Sequence, residues 1–253
     1  MLAELLALDV FQLLMVFTRL GAAMMIMPGF GGNIMPSRFR LILALAITLV
    51  VAPVVAPGLP AMPQTVGGLA VLLVSEVTIG LFLGLVAQVL MAAVNVAGTV
   101  IGFQSGFTNA FVFDAVTEQQ SNLLTGFMGN LALVVIFATD LHHLMLRAVV
   151  DSYALFPSGA EVPLADMSDS LARGVAHSFA IGLKLSAPLL VFALVFQGGM
   201  GVLARLMPQM PVFFVALPVQ MMVGMAIFMV TLPPAMLWFL RHFEDGLLPY
   251  VGR

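Results

Sequence analysis

The sequence predicts an all-α integral membrane protein of kinked helical hairpins with about six apolar segments. Three observations carry this. Hydrophobic residues make up 62% of the 253-residue chain and charged residues only 8%, against about 25% charged in soluble globular domains. Charges are also unevenly spread: none falls between Arg40 and Glu76, Glu76 and Asp114, Lys184 and Arg205, or Arg205 and Arg241. Each gap can hold a spanning helix, which needs roughly 20 mostly apolar residues. Finally, the apolar runs are continuous and rich in Leu, Ala and Met, a helical pattern and not the alternation of barrel strands.

In chain order the segments are Leu5 to Met27, Leu41 to Ala56, Val66 to Phe103, Leu123 to Thr139, Val175 to Leu203 and Val212 to Leu240. The first has no basic flank and no small-residue cleavage site before it, so it reads as a retained helix. Connections are short except for residues 140 to 174, whose acidic, Pro-containing "DSYALFPSGAEVPLADMSDSLAR" is expected outside the membrane. No internal repeat is visible, and residues 1–253 read as a single helical membrane domain. Arg38, Arg40 and Arg205 lean the loops at 28–40 and 204–211 toward the cytoplasm, with both termini outside if each segment crosses once.

The third segment is too long for one upright crossing. At 1.5 Å per residue it would run roughly 57 Å, almost twice a hydrocarbon core of about 30 Å. Glu76, Gly80, Gly84, Ala87, Met91, Asn95, Gly98 and Gly102 fall within one arc of about 100° on it. Gly80, Gly84, Gly98 and Gly102 therefore form a helix-packing seam, because glycines let backbones approach closely where lipid gives no drive to hide Leu from Leu.

Arg19, Glu76 and Lys184 each sit inside an apolar segment, where a charge at mid-depth costs at least about 2.5 kcal/mol. Each needs a partner. They read either as an ion or proton relay or as structural ion pairs holding helices in register. The stretch "QGGMGVLARLMPQMPVFFVALP", 197–218, reads as the tip of a helical hairpin: Pro208 and Pro211 cannot continue a helix, and Arg205 complements the preceding helix end. Pro188, Pro218, Pro233 and Pro234 are expected to bend its arms.

This stretch resembles the FliR family of flagellar and type III secretion export proteins through Arg205, Pro208, Gln209, Val212 and Phe213, with Pro211 standing where the family usually has Asn. "TRLGAAMMIMPGFGGNIMPSRFRLILALAI", "SEVTIGLFLGL" and "NVAGTVIGFQSGF" resemble other family segments in order, so the similarity covers nearly the whole chain. It implies hairpins like those of FliP and FliQ, co-assembly with FliP-like and FliQ-like subunits around an export channel, and contacts with FlhB- and FlhA-like export proteins and proximal rod components. It also implies a place in the bacterial inner membrane at the flagellar basal body, lipid contact and exported unfolded polypeptides as cargo. In that setting the glycine face of the third segment could pack against neighbouring subunits.

"GFTNAFVFDAVTEQQSN", 106–122, is too polar for lipid and too apolar for a free loop. It resembles the family's plug loop, with Gly106, Phe107, Phe111 and Phe113 as the gate, although Ala115 stands where the family often has proline. Three aromatic rings fill a narrow lumen well and can be displaced without covalent change. A surface loop packed back on its own helices is the alternative. Met200, Met207, Met210, Met221, Met222, Met225 and Met229 cluster near the hairpin and read as core filling more readily than as a gate.

Enzymatic chemistry finds no motif: GxSxG, a Walker loop and HExxH are all absent. Asp140, His142 and His143 look like metal ligands, but adjacent histidines on a helix point about 100° apart, so no metal and no cofactor are expected. Zero cysteines excludes thiolate sites, and a net charge of −3 without a basic run excludes nucleic acid. Two other readings stay open: an ion-coupled secondary transporter with a midplane site containing Glu76 and Lys184, and a passive scaffold of the export ring.

Overall fold

The computed structural model describes residues 10–32, 35–106, 123–207 and 212–252. These residues form seven α-helices and no strand: α1 Val10–Ile26, α2 Ser37–Val55, α3 Val66–Gln104, α4 Leu123–Ala138, α5 Leu141–Leu155, α6 Leu164–Leu206 and α7 Val212–Leu247. Short 3₁₀ turns follow α2 at Ala56–Gly58 and α7 at Leu248–Tyr250. Four of the helices, α2, α3, α6 and α7, are long and apolar enough to cross a membrane. The α4 and α5 pair makes a fifth candidate if counted as one broken span, bent by 74°. By length and composition the described residues thus hold four such helices, or five with the bent pair, and α1 with its 17 residues is a shorter apolar helix.

Two boundaries differ from the sequence expectation for one reason. The 140–174 segment is largely helical, holding α5 and the first turns of α6, and α7 runs past Leu240 through Arg241, Glu244 and Asp245. Apolar composition reports where lipid can be tolerated. The backbone hydrogen-bond ladder continues into polar sequence until a cap or a proline stops it.

The 39-residue α3 is unbroken and has identifiable ends. At its start the Thr65 hydroxyl accepts the Gly68 N–H at 3.2 Å, satisfying one orphan donor. At its end Ser105 and Gly106 turn out of the helix, with Gly106 at φ 78°, a left-handed conformation that glycine adopts without strain. Between these ends α3 contains no proline.

The chain divides into two compact units, the first made of Met1–Leu90, Ile136–Val175 and His242–Arg253, the second of Met91–Val135 and Ala176–Arg241. In the first unit α2 buries one stripe, Ala44, Thr48, Ala52 and Val55. Ala52 and Val55 pack with Val16 of α1, and Leu13, Val150 and Tyr153 close the cluster. The remaining faces of α2, including Phe39, Ile42, Val50 and Val54, are exposed. Arg40 at its N-terminal end donates to the carbonyls of Gly32 and Met35, closing the turn between α1 and α2. Aromatic edges complete this unit: Phe82 meets Phe156 at 6.2 Å and Tyr250 at 5.7 Å in T-shaped pairs. In the second unit Phe127 and Phe228 pair in the same way at 6.3 Å.

Candidate functional site

Of Arg19, Glu76 and Lys184, the three charges set within apolar sequence, the structure pairs the first two. Arg19 on α1 and Glu76 on α3 are fully buried and form a bidentate ion pair, Nε to Oε2 at 2.6 Å and Nη2 to Oε1 at 3.0 Å. This fork-to-fork geometry is the strong form of a charge-assisted hydrogen bond. The rest of the guanidinium is also satisfied: Nη1 donates to the Ser152 hydroxyl at 3.1 Å and Nη2 to the Phe156 carbonyl at 3.0 Å. Ser152 in turn donates to the Val149 carbonyl. The Tyr153 ring lies under the guanidinium, its centroid 3.8 Å from Cζ, within cation–π range. The node therefore ties α1, α3 and α5 together through one side chain. A buried ion pair this fully hydrogen-bonded can offset its desolvation, whereas one stripped of a partner cannot.

Sequence reasoning missed Ser152, Tyr153 and Phe156 because their segment read as an extramembrane loop. The available signal was "DSYALF" itself, which places Ser and Tyr on successive positions of an amphipathic helix end. Lys184 is exposed on α6 and has no carboxylate partner among the described residues. The partner expected for Lys184 is thus not a carboxylate among the described residues of this chain. Lys184 lies one residue before the charge-free run 185–204, roughly one bilayer length. That is a position from which a lysine can snorkel to the interface.

Three of the seam glycines meet other helices of the same chain. A Cβ at Gly80 would overlap the Arg19 carbonyl oxygen, and one at Gly84 would come within 2.8 Å of the Ala23 carbonyl oxygen. One at Gly98 would stand 2.7 Å from the Thr125 Cα, beside the Thr99–Thr125 hydroxyl contact at 3.2 Å. Gly102 is buried. The close approach at Gly80 sets the register that brings Arg19 onto Glu76. Gly80, Gly84 and Gly98 are thus packed against helices of this same chain. Gly182, not singled out from sequence, plays a like part on α6, where a Cβ would lie 2.7 Å from the Ala93 carbonyl oxygen.

Gly106 is buried at the end of α3, beside Gln220 and Met221 of α7. The Gln220 side-chain amide donates to the Gln104 carbonyl at 2.9 Å, and Gly224 faces Ser105, where a Cβ would sit 3.2 Å from its Cα. The end of α3, through Gly106, is therefore held against α7. Phe107, Phe111 and Phe113 lie outside the described residues, as do Pro208 and Gln209. Arg205 is exposed in the last turn of α6, where a cation complements the helix C-terminus, and Phe213 lies in the first turn of α7.

Two local expectations are corrected. The methionines near the hairpin are not core within this chain: Met207, Met222 and Met229 are exposed and Met200, Met221 and Met225 half-buried. Met210 lies outside the described residues. Nor do His142 and His143 splay. Their ring centroids lie 4.0 Å apart, and one ligand atom each from Asp140, His142 and His143 fall within 4.8 Å of one another.

Residues 10–246 match the family described as bacterial export proteins, family 1. The flagellar biosynthetic protein FliR of Caulobacter vibrioides is 38% identical over 239 residues, 94% of this chain and 95% of that protein. The chain belongs to the FliR family. Further FliR proteins agree: that of Bacillus subtilis is 30% identical over 217 residues, 83% of this chain and 82% of its own, and that of Escherichia coli 31% over 209 residues, 82% and 78%. As a FliR-family member the chain is a helical membrane component of flagellar protein export.

Proposed function

We propose that this FliR-family chain is a subunit of the flagellar type III export gate, co-assembling with FliP-like and FliQ-like subunits in the inner membrane at the basal body. The observation that carries this is the outward apolar surface left after the internal glycine seam is filled. Met222, Met229, Val230, Leu237 and Trp238 of α7 and Leu194, Val195 and Val202 of α6 are exposed. Pro233 and Pro234 lie within α7 and remove the hydrogen bonds that would otherwise engage the carbonyls of Met229 and Val230, both on exposed residues. Lipid cannot satisfy such carbonyls, but a neighbouring polypeptide can. FlhB- and FlhA-like proteins and rod components are the further expected neighbours, with unfolded polypeptide as cargo.

In this reading residues 106–122 act as a plug whose base is held by Gln220 and Gly224, with Phe107, Phe111 and Phe113 as the obstructing rings. A midplane transport site of Glu76 and Lys184 has less support, since both Glu76 oxygens are taken by Arg19 and Lys184 is exposed. The test is co-expression with FliP-like and FliQ-like partners and measurement of the detergent-extracted mass. A hetero-oligomer is expected, and a stable lone monomer in the presence of the partners overturns the proposal. Deleting 107–113 in the assembled complex should raise ion conductance; unchanged conductance leaves a scaffold without a plug.

A further inference from the structure

The break between α4 and α5 holds a cluster that neither the charge node nor the export reading uses. Asp140 sits in the break, the last residue before α5, and His142 and His143 occupy the first turn of α5. Ordinary helical geometry separates consecutive side chains by about 100°. Here Asp140 adopts φ 60°, turning the chain so that its carboxylate reaches His143, Oδ1 to Nδ1 at 3.5 Å. The His143 N–H donates to the Asp140 carbonyl at 3.0 Å, which fixes this turn. The His142 ring stacks on Phe137 of α4 at 4.7 Å and 18°, placing it 4.0 Å from the His143 ring. Its Nδ1 is shielded from solvent and has no hydrogen-bond partner among the described residues.

Two imidazoles and one carboxylate converging in this way are a donor set suited to a borderline divalent metal and not to calcium or magnesium, which prefer oxygen cages. In a tetrahedral zinc site with bonds of about 2.0–2.1 Å, neighbouring ligand atoms stand roughly 3.3 Å apart. The Asp140–His143 separation of 3.5 Å is already close to that, and the full cluster spans no more than 4.8 Å. Small side-chain rotations close it. The Asp140 and His143 side chains are 78% and 69% exposed, so an ion can reach them from water.

We propose that Asp140, His142 and His143 form a divalent transition-metal site, of the zinc, cobalt or nickel class, that staples the 74° break between α4 and α5. Three protein ligands leave at least one coordination position for water. Because His142 stacks on α4 while Asp140 and His143 belong to the break and to α5, the loaded site restrains both helices at once.

The full-length chain, purified in detergent with a tag free of histidine and stripped with a chelator, is titrated with Co²⁺ at pH 7 and followed by its visible d–d absorption. One saturable equivalent is expected, with a dissociation constant at or below about 10 µM for three convergent ligands. Asp140→Asn should weaken it by at least about tenfold. The double variant H142A/H143A should abolish it, whereas His177→Ala, altering a histidine elsewhere on α6, should leave it unchanged. Retained elution volume of each variant on size exclusion separates loss of a ligand from loss of fold; where H142A/H143A does not elute as wild type, the milder His143→Gln takes its place. Non-saturating uptake, or saturable binding that survives these substitutions in folded protein, overturns the site.

Discussion

Removing Glu76 should destabilise the chain far more than removing the Arg19–Glu76 pair altogether. In Glu76→Ala the guanidinium of Arg19, fully buried, keeps only Ser152, the Phe156 carbonyl and the Tyr153 ring as partners. Its charge is then uncompensated, a situation that typically costs about 3–5 kcal/mol. For a chain of this length each kcal/mol shifts the melting temperature by about 2–4 °C, so a fall of roughly 6–20 °C is expected. Replacing both partners with apolar residues of similar volume, R19M/E76L, removes the buried charge with its counter-charge. Such exchanges are commonly neutral or stabilising by about 1–4 kcal/mol, so the double variant should melt near wild type. The assay is thermal loss of the monodisperse peak on size exclusion in detergent, for wild type, both single variants and the double. A single variant within about 2 °C of wild type, given that slope, or a double variant as unstable as the two singles summed, refutes a coupled pair. Swimming of a flagellated host lacking its own FliR then separates the two roles: a structural pair predicts that the stable double variant restores motility, a proton relay that it does not.

Other outcomes follow from contacts at single positions. Gly80→Ala should cost about 1–3 kcal/mol through overpacking against the Arg19 carbonyl, whereas Gly201→Ala, with nothing within 4 Å of its Cβ, should be neutral or gain up to about 1 kcal/mol from helix propensity. Both are read as melting shifts in the same assay. Tyr153→Phe should change stability by less than about 1 kcal/mol, because the hydroxyl has no partner among the described residues. Tyr153→Ala should cost about 3–5 kcal/mol from the cavity, together with the lost ring contact to Arg19. Gln220→Ala removes the donor to the Gln104 carbonyl and should cost about 0.5–1.5 kcal/mol. If 107–122 is a plug, the same variant should raise the basal conductance of the assembled complex; wild-type conductance argues against the plug's anchoring there.

Much of the helix inventory was legible because it depends on local quantities. Charge-free gaps and continuous apolar runs located α1 to α4 and the spanning parts of α6 and α7. The polar helix α5 was missed, and with it the site's third side, because its composition says "not in lipid" without saying "not helical". The glycine spacing on α3 was legible, but not the helices it meets: Gly80 and Gly84 lie against α1 and Gly98 against α4. The closeness of the two histidine rings was not legible, because it depends on the His142 ring turning onto Phe137, a side-chain orientation that backbone rotation per residue does not give.

Alone, the sequence determined the solvent, the helical class and the FliR-family resemblance, since all three rest on residue identity and spacing along the chain. Only the tertiary structure decided which charge meets which. Arg19 finds Glu76 at a separation of 57 residues and Ser152 at 133, while Lys184, equally buried in apolar sequence, is left exposed. The physical reason is that a buried charge is stabilised by the angle and depth at which helices cross, and those are set by the glycine contacts at Gly80 and Gly84, where the backbones of α1 and α3 come close enough to lock the register.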